Sequence, residues 1–325
     1  MDFRTQIAVA PMPCKLGYEH KMLLVGSCFA ERFAARLQSL KFAAMGNPFG
    51  VLYNPVSVAQ SLLRMGEKRL LAASDLRYGQ GLWFSYTHHS RFAHPDKEEC
   101  LRRMNESIFR GAWGLRTADF LVVTLGTSWT YKLKETGEVA TCCHKTPDKE
   151  FERIFLSPDK SAAVLCDMVR SVRSKNPNVH IIFTVSPIRH WKEGAHGNQL
   201  SKAALLLAVE QTLQKTENTA YFPAYEIMQD ELRDYRFYAS DMLHPSEVAV
   251  EYICQKFEQA AFSDSAMRTM EEVKRLLAAK AHRPFNANTP EYRNFLKAQQ
   301  QNLSQLKQRL PHLDWEDEEA FFAKY

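Results

Sequence analysis

Short apolar runs, each closed by a glycine or a serine–proline pair, alternate along this chain with longer stretches in which apolar positions recur every three or four residues. Residues 21–25 form the first run and stop at Gly26, and Phe29, Phe33, Leu37 and Leu40 then fall on one helical face. The pattern predicts a strand, a tight turn and a helix. Residues 41–45 give a second strand candidate, closed by Gly46-Asn47-Pro48-Phe49-Gly50, and Pro55 stands where the first turn of another helix begins. An amphipathic stretch over 96–112 leads into FLVVTL at 120–125, which ends at Gly126. A helical stretch over 160–174 leads into VHIIFTV at 179–185, which ends at Ser186-Pro187. Residues 201–216 predict a helix, 221–224 a short strand and 247–261 a further helix.

Strands that alternate with helices, and that are apolar on both faces, predict an α/β fold with a single doubly wound, mainly parallel sheet flanked by helices. Ligands of such a sheet bind at the C-terminal ends of its strands. From about Met267 the sequence becomes charged, Gln-rich and helix-favouring, interrupted by AKAHRPFNANTPEY and closed by WEDEEAFFAKY. The expected organisation is an α/β domain over 1–265 and a helical C-terminal extension over 266–325. The extension is accessory, and homo-oligomerisation through its helices is one use of it.

Composition narrows the function. The net charge of +5 is spread thinly, with no basic run able to track a phosphate backbone, so nucleic-acid binding is not expected. No window approaches the roughly 18–20 apolar residues of a membrane span, and the first twenty residues do not read as a secretory leader. The expectation is a soluble, cytoplasmic protein. Seven cysteines, without repeating spacing, read as reduced thiols. Cys142, Cys143 and His144 are adjacent but lack a second cluster with zinc-site spacing, and His88, His89 and His94 read as loop or lid residues. No metal and no cofactor are expected. Trp113 and Trp129 read as core or cleft wall.

Three segments lie where strands are predicted to end: Gly26-Ser27-Cys28-Phe29-Ala30, Gly126-Thr127-Ser128-Trp129 and Asp241-Met242-Leu243-His244-Pro245. A serine at a strand-to-helix turn faces the ligand side, and the helix N-terminus behind it offers N–H groups to an oxyanion. Its hydroxyl needs a base, which His244 supplies, and Asp241 three residues earlier can fix the imidazole tautomer. Serine in that position is also the usual helix N-cap. Cys28 reads as a structural, buried thiol aimed elsewhere, with a Cys–His enzyme as the alternative if the turn presents it instead.

GSCFA at 26–30, with NPFGVLYNP, TLGTSW and DMLHPS, resembles the GSCFA-domain proteins, themselves similar to the SGNH (GDSL-like) esterase and lipase superfamily. The likeness spans about residues 20–260 and implies the SGNH-hydrolase fold. It implies Ser27 as nucleophile with Asp241 and His244 as its partners. It also implies an oxyanion hole completed by a glycine, for which Gly46 and Gly50 are candidates and Gly50 is favoured, and by a Gly-x-Asn segment. That segment falls on Gly126-Thr127-Ser128, which has no asparagine, so Thr127 or a backbone N–H must substitute. Arg189, His190 and Trp191 follow a strand end and are expected to shape substrate recognition, with His196, Asn198, Ser201 and Lys202 in a polar loop and helix start.

The resulting expectation is a serine hydrolase (esterase) acting on an ester or O-acyl group of a small molecule or glycan. An acyltransferase of the same mechanism and a catalytically degenerate binding protein are the alternatives.

Overall fold

A strand covered by helices on both sides is apolar along most of its length, and the computed structural model shows this arrangement; it describes residues 4–286 and 288–323. Ala287, and the last two residues of the closing stretch, lie outside the described residues. In chain order the elements begin with β1 (Lys21–Gly26), α1 (Cys28–Ser39), β2 (Ala43–Gly46) and α2 (Pro55–Glu67). A hairpin of β3 (Arg77–Gly79) and β4 (Leu82–Phe84) precedes α3 (Lys97–Thr117) and β5 (Phe120–Leu125). Then come β6 (Trp129–Leu133), β7 (Val139–Ala140), β8 (Phe151–Phe155), α4 (Pro158–Lys175) and β9 (His180–Val185). They are followed by α5 (Gly194–Lys215), β10 (Thr219–Phe222), the single turn α6 (Ala224–Glu226) and α7 (Glu247–Ala261). The chain closes with α8 (Asp264–Ala281), α9 (Pro290–Arg309) and α10 (Glu316–Phe322).

The main sheet has the order β10-β9-β5-β1-β2 and every pairing in it is parallel. Successive side chains of its strands serve opposite cores. Leu24, Phe120, Val122 and Ile182 enter the core on the α1 and α7 side. Leu23, Val25, Leu121, Val123, Ile181 and Phe183 enter the core beneath α2, α3, α4 and α5. The chain turns one way from β1 to β2 and the other way to β5, so the strand order reverses at the β1–β5 pair. A doubly wound sheet opens a crevice at the C-terminal ends of such a pair.

The C-terminal extension is part of the first core. Met270, Val273, Leu276, Leu296, Leu303, Trp315 and Phe322 are buried in the same cluster as Phe33 of α1 and Phe257 of α7. The apolar stripes of these helices thus pack on the chain's own domain. Glu318, buried in α10, accepts hydrogen bonds from Lys41 at 2.5 Å and from Lys280 at 2.9 Å, which ties the last helix both to the loop after α1 and to α8. No helix among the described residues is long and apolar enough to cross a membrane.

The three-stranded antiparallel sheet β7-β6-β8 was not anticipated from the sequence. It stands beside the C-terminal ends of the main strands, with Trp129 and Tyr131 of β6 and Ala140 of β7 turned into a cavity there. Trp113, by contrast, is exposed on α3 beneath the ammonium of Lys21, neither core nor cleft wall.

Candidate active site

The turn from β1 into α1 is fixed by backbone geometry that few residues permit. Gly26 has φ +130°, and a Cβ there would lie 2.0 Å from the Thr124 carbonyl oxygen. The Asn47 carboxamide accepts from Gly26 N–H at 2.7 Å and donates to the Ser27 carbonyl at 3.3 Å, while Ser27 N–H donates to the Thr124 carbonyl at 3.0 Å. Asn47 is fully buried and belongs to the NPFG turn.

Ser27 is the N-cap of α1, and its side chain turns back to accept from Phe29 N–H at 3.3 Å. Its hydroxyl donates to Ser186 Oγ at 3.0 Å, and the residue has no exposed surface. The expected pairing of Ser27 with His244 is absent. A cap side chain folds over its own helix terminus, so the residue that projects into the crevice is the next one. Cys28 Sγ lies 3.7 Å from His244 Nε2. His244 Nδ1 donates to Asp241 Oδ2 at 2.6 Å, and Asp241 Oδ1 accepts from the N–H groups of Leu243 and His244, each at 2.9 Å. Asp241 and His244 therefore stand together as expected, with the ring beside Cys28 and not Ser27.

Electrostatics sharpen the roles. The Asp241 carboxyl is held down to about 2 by the amides of His244 and Leu243 and then by the imidazole, so it is ionised at any working pH. Burial pushes the Cys28 thiol above its ordinary value, opposed by its own backbone N–H and by the charges of Arg32 and Lys202. At neutral pH the sulfur is protonated. Tyr53 is pushed up to about 12 by burial, and so stays a neutral phenol.

Cys28 and His244 open on a cavity of about 510 Å³ walled by Tyr53, Trp129, Tyr131 and Trp191. Arg189 and His190 line it, as anticipated, with the Arg189 guanidinium 4.4 Å from the Trp191 ring. Burial pushes His190 down to about 3, so its ring is neutral, and its buried Nε2 has no hydrogen-bond partner among the described residues. Cys142 also lines the cavity, whereas His144 turns its Nε2 to the carbonyls of Ser85 and His88. His88 is buried between Thr87 and Ser107, a core histidine pushed to about 3 by burial and not a lid residue. Among the described residues no three His, Cys, Asp or Glu side chains are grouped to hold a metal ion.

The expected oxyanion donors are otherwise engaged. Gly50 N–H donates to the Asn47 carbonyl at 2.8 Å, and the N–H groups of Gly126 and Thr127 both donate to the Tyr53 carbonyl, at 2.7 and 2.9 Å. Thr127 does reach the cavity wall, but its hydroxyl is bonded to Ser201 at 3.0 Å. The residue missed was Asn54, which caps α2 and lines the cavity. Its Oδ1 accepts from Ser57 N–H at 2.9 Å. The signal was the second Asn-Pro of NPFGVLYNP, a cap position already marked by Pro55. His196 and Asn198, expected in a polar loop, lie within α5, where Asn198 accepts from the His190 N–H at 3.0 Å.

The fold is a parallel α/β sheet with the Ser27-Cys28 turn at its switch point and an Asp–His pair after its last strand. The chain belongs to the GSCFA family: the model of that family matches residues 21–257, and that of the GSCFA domain protein C-terminal domain matches residues 273–325. Among solved structures it is similar to an acetyl xylan esterase from the rumen bacterium Butyrivibrio proteoclasticus, with 12% identity, a TM-score of 0.39, and coverage of 74% of this chain and 63% of that one. A family two carbohydrate esterase from Clostridium thermocellum, in complex with cellohexaose, is 14% identical over 84% of this chain and 68% of that one, with a TM-score of 0.38. A family 3 carbohydrate esterase from Clostridium thermocellum is 14% identical over 79% and 98%, with a TM-score of 0.32. No curated protein matches the chain.

Proposed function

We propose that this protein is an ester hydrolase or acyltransferase that uses Cys28, not Ser27, as its nucleophile. The observation that carries the reading is the line from Cys28 Sγ through the His244 ring to Asp241, which opens on a cavity. His244 Nε2 takes the thiol proton as Cys28 Sγ bonds to the acyl carbon of an ester. The carbon–oxygen bond to the leaving alcohol then breaks, and that oxygen receives the proton from His244. Water, or a second hydroxyl in the transferase case, attacks the resulting thioester, gives its proton to His244, and expels the Cys28 thiolate, which is reprotonated. Asp241 keeps Nδ1 protonated, so that Nε2 is the acceptor.

The developing oxyanion is held by the Cys28 backbone N–H, at the first position of α1, and by the Asn54 carboxamide NH₂. Tyr53, Trp129, Tyr131 and Trp191 offer aromatic faces suited to an apolar acyl chain or to the face of a sugar. No cofactor enters these steps.

Turnover of an aryl acetate by the wild type, Cys28→Ala and Ser27→Ala tests the reading. The account expects Cys28→Ala to lose on the order of 10³-fold or more in kcat/KM, with Ser27→Ala retaining activity per folded molecule. Retention by Cys28→Ala, with loss in a folded Ser27→Ala, would restore the serine mechanism.

A further inference from the structure

Lys202 is expected from the sequence on a polar helix start, yet in the structure it is one of the largest fully buried side chains. Its ammonium donates to the carbonyl oxygens of Gly126 and Ser186, each at 2.8 Å, and no carboxylate among the described residues pairs with it. Those two carbonyls directly follow the C-terminal ends of β5, which pairs with β1, and of β9, which pairs with β5 on its other side. Ser186 Oγ also accepts from Ser27, so Lys202 and Ser27 are both anchored on Ser186, one at its carbonyl and one at its hydroxyl. A buried ammonium set against two carbonyl dipoles and the Tyr225 ring, whose centroid is 5.5 Å away, is costly for a fold to keep without a carboxylate, and two carbonyls can be satisfied by a neutral donor.

We infer that Lys202 is a positioning residue whose positive charge, set beneath the crevice, favours negative charge at Cys28 and on the acyl group bound there. The inference rests on the reading of Cys28 as the acyl acceptor. Burial pushes Lys202 down to about 7 and Cys28 pushes it back up, so an anion formed at the sulfur draws the ammonium form with it. The other charges acting on Cys28 are Arg32 and Glu31 of its own helix, which oppose each other, with the His244 imidazole in contact with the sulfur. Lys202 is the charge that comes from below the sheet ends.

Alkylation of Cys28 tests this without any substrate, so its failure is separable from failure of the nucleophile reading, which turns on the activity of Cys28→Ala. Rates with iodoacetamide, which is neutral, and iodoacetate, which is anionic, are measured against pH at Cys28 by peptide mass mapping in the wild type, Lys202→Met and Lys202→Gln. Gln keeps a donor for the carbonyls but not the charge. Both variants should alkylate about ten-fold more slowly near neutral pH, with their pH profiles shifted up by about one unit, since one unit is ten-fold in thiolate. The iodoacetate-to-iodoacetamide ratio should fall in both. A wild-type profile and ratio in Lys202→Gln would show that Lys202 only clamps the strand ends, and would overturn the inference. Should neither variant fold, the same ratio is followed in His244→Ala, with Lys202 present, from about pH 6 to 9. A ratio that declines as the lysine deprotonates supports the inference, and a flat one overturns it.

Discussion

Cys28 Sγ stands 3.7 Å from His244 Nε2, and the ring's other nitrogen is bonded to Asp241 at 2.6 Å. One residue away, the Ser27 hydroxyl is sealed against Ser186 and the Phe29 N–H. A single step along the chain thus separates the side chain that holds the turn from the one that faces the cavity.

If Ser27 holds the turn, its loss is a matter of stability. Ser27→Ala removes a helix cap and a buried hydrogen bond and should cost about 1–2 kcal/mol. A double-mutant cycle with Ser186→Ala, read by denaturant unfolding, should show coupling between the two. Strict additivity would mean that the Ser27–Ser186 bond contributes nothing.

The division between the two residues was partly legible in the sequence. Serine before a helix with apolar period is the preferred cap, and the cap side chain cannot also reach across the crevice. What the sequence did not reveal was the phase of α1 relative to the sheet, which decides whether Ser27 or Cys28 projects. The main strands and helices were readable because FLVVTL and HIIFTV are buried on both faces and because the helices between them carry one apolar stripe each. β6, β7 and β8 were not, since WTYKL and FERIF mix aromatic and charged side chains and pair only with one another. Lys202 read only as part of a polar helix start because nothing local marks a residue that satisfies carbonyls brought together from 76 and 16 positions away.

Asp241 fixes the His244 tautomer, so Asp241→Asn should lower kcat by on the order of 10²- to 10⁴-fold. Because the carboxyl is depressed to about 2, its contribution is present above that pH and lost only on falling through it. The wild-type rate profile should therefore show no limb from Asp241 above about pH 3. Initial rates in buffers of constant ionic strength check both points.

Asn54→Ala removes the proposed oxyanion donor and should reduce kcat by about 10²- to 10³-fold with a smaller change in KM. The same change removes the α2 cap, at about 1 kcal/mol, so the unfolding midpoint is measured alongside. A fall in stability with unchanged kcat would leave Asn54 as a cap alone.

The C-terminal helices belong to the core, and Trp315→Ala should cost about 3–5 kcal/mol in chemical denaturation, in one transition shared with the rest of the chain. Burial alone would raise the Glu318 carboxyl, but hydrogen bonds from Lys41 and Lys280 outweigh it and hold the group below its usual range. A depressed carboxylate stabilises above the ordinary range and loses that contribution as pH falls. The difference in Tm between wild type and Glu318→Gln should therefore be full at neutral pH and shrink below about pH 4.

The central claim is the identity of the nucleophile, and the most direct test is to trap the acyl group. The protein is quenched in acid after brief exposure to an aryl acetate, and the acetylated residue is located by peptide mass mapping in the wild type, Cys28→Ala and His244→Ala. The account predicts acetyl on Cys28, none on that peptide in Cys28→Ala, and much slower acetylation in His244→Ala. Acetyl on Ser27 in the wild type, persisting in Cys28→Ala, would contradict it.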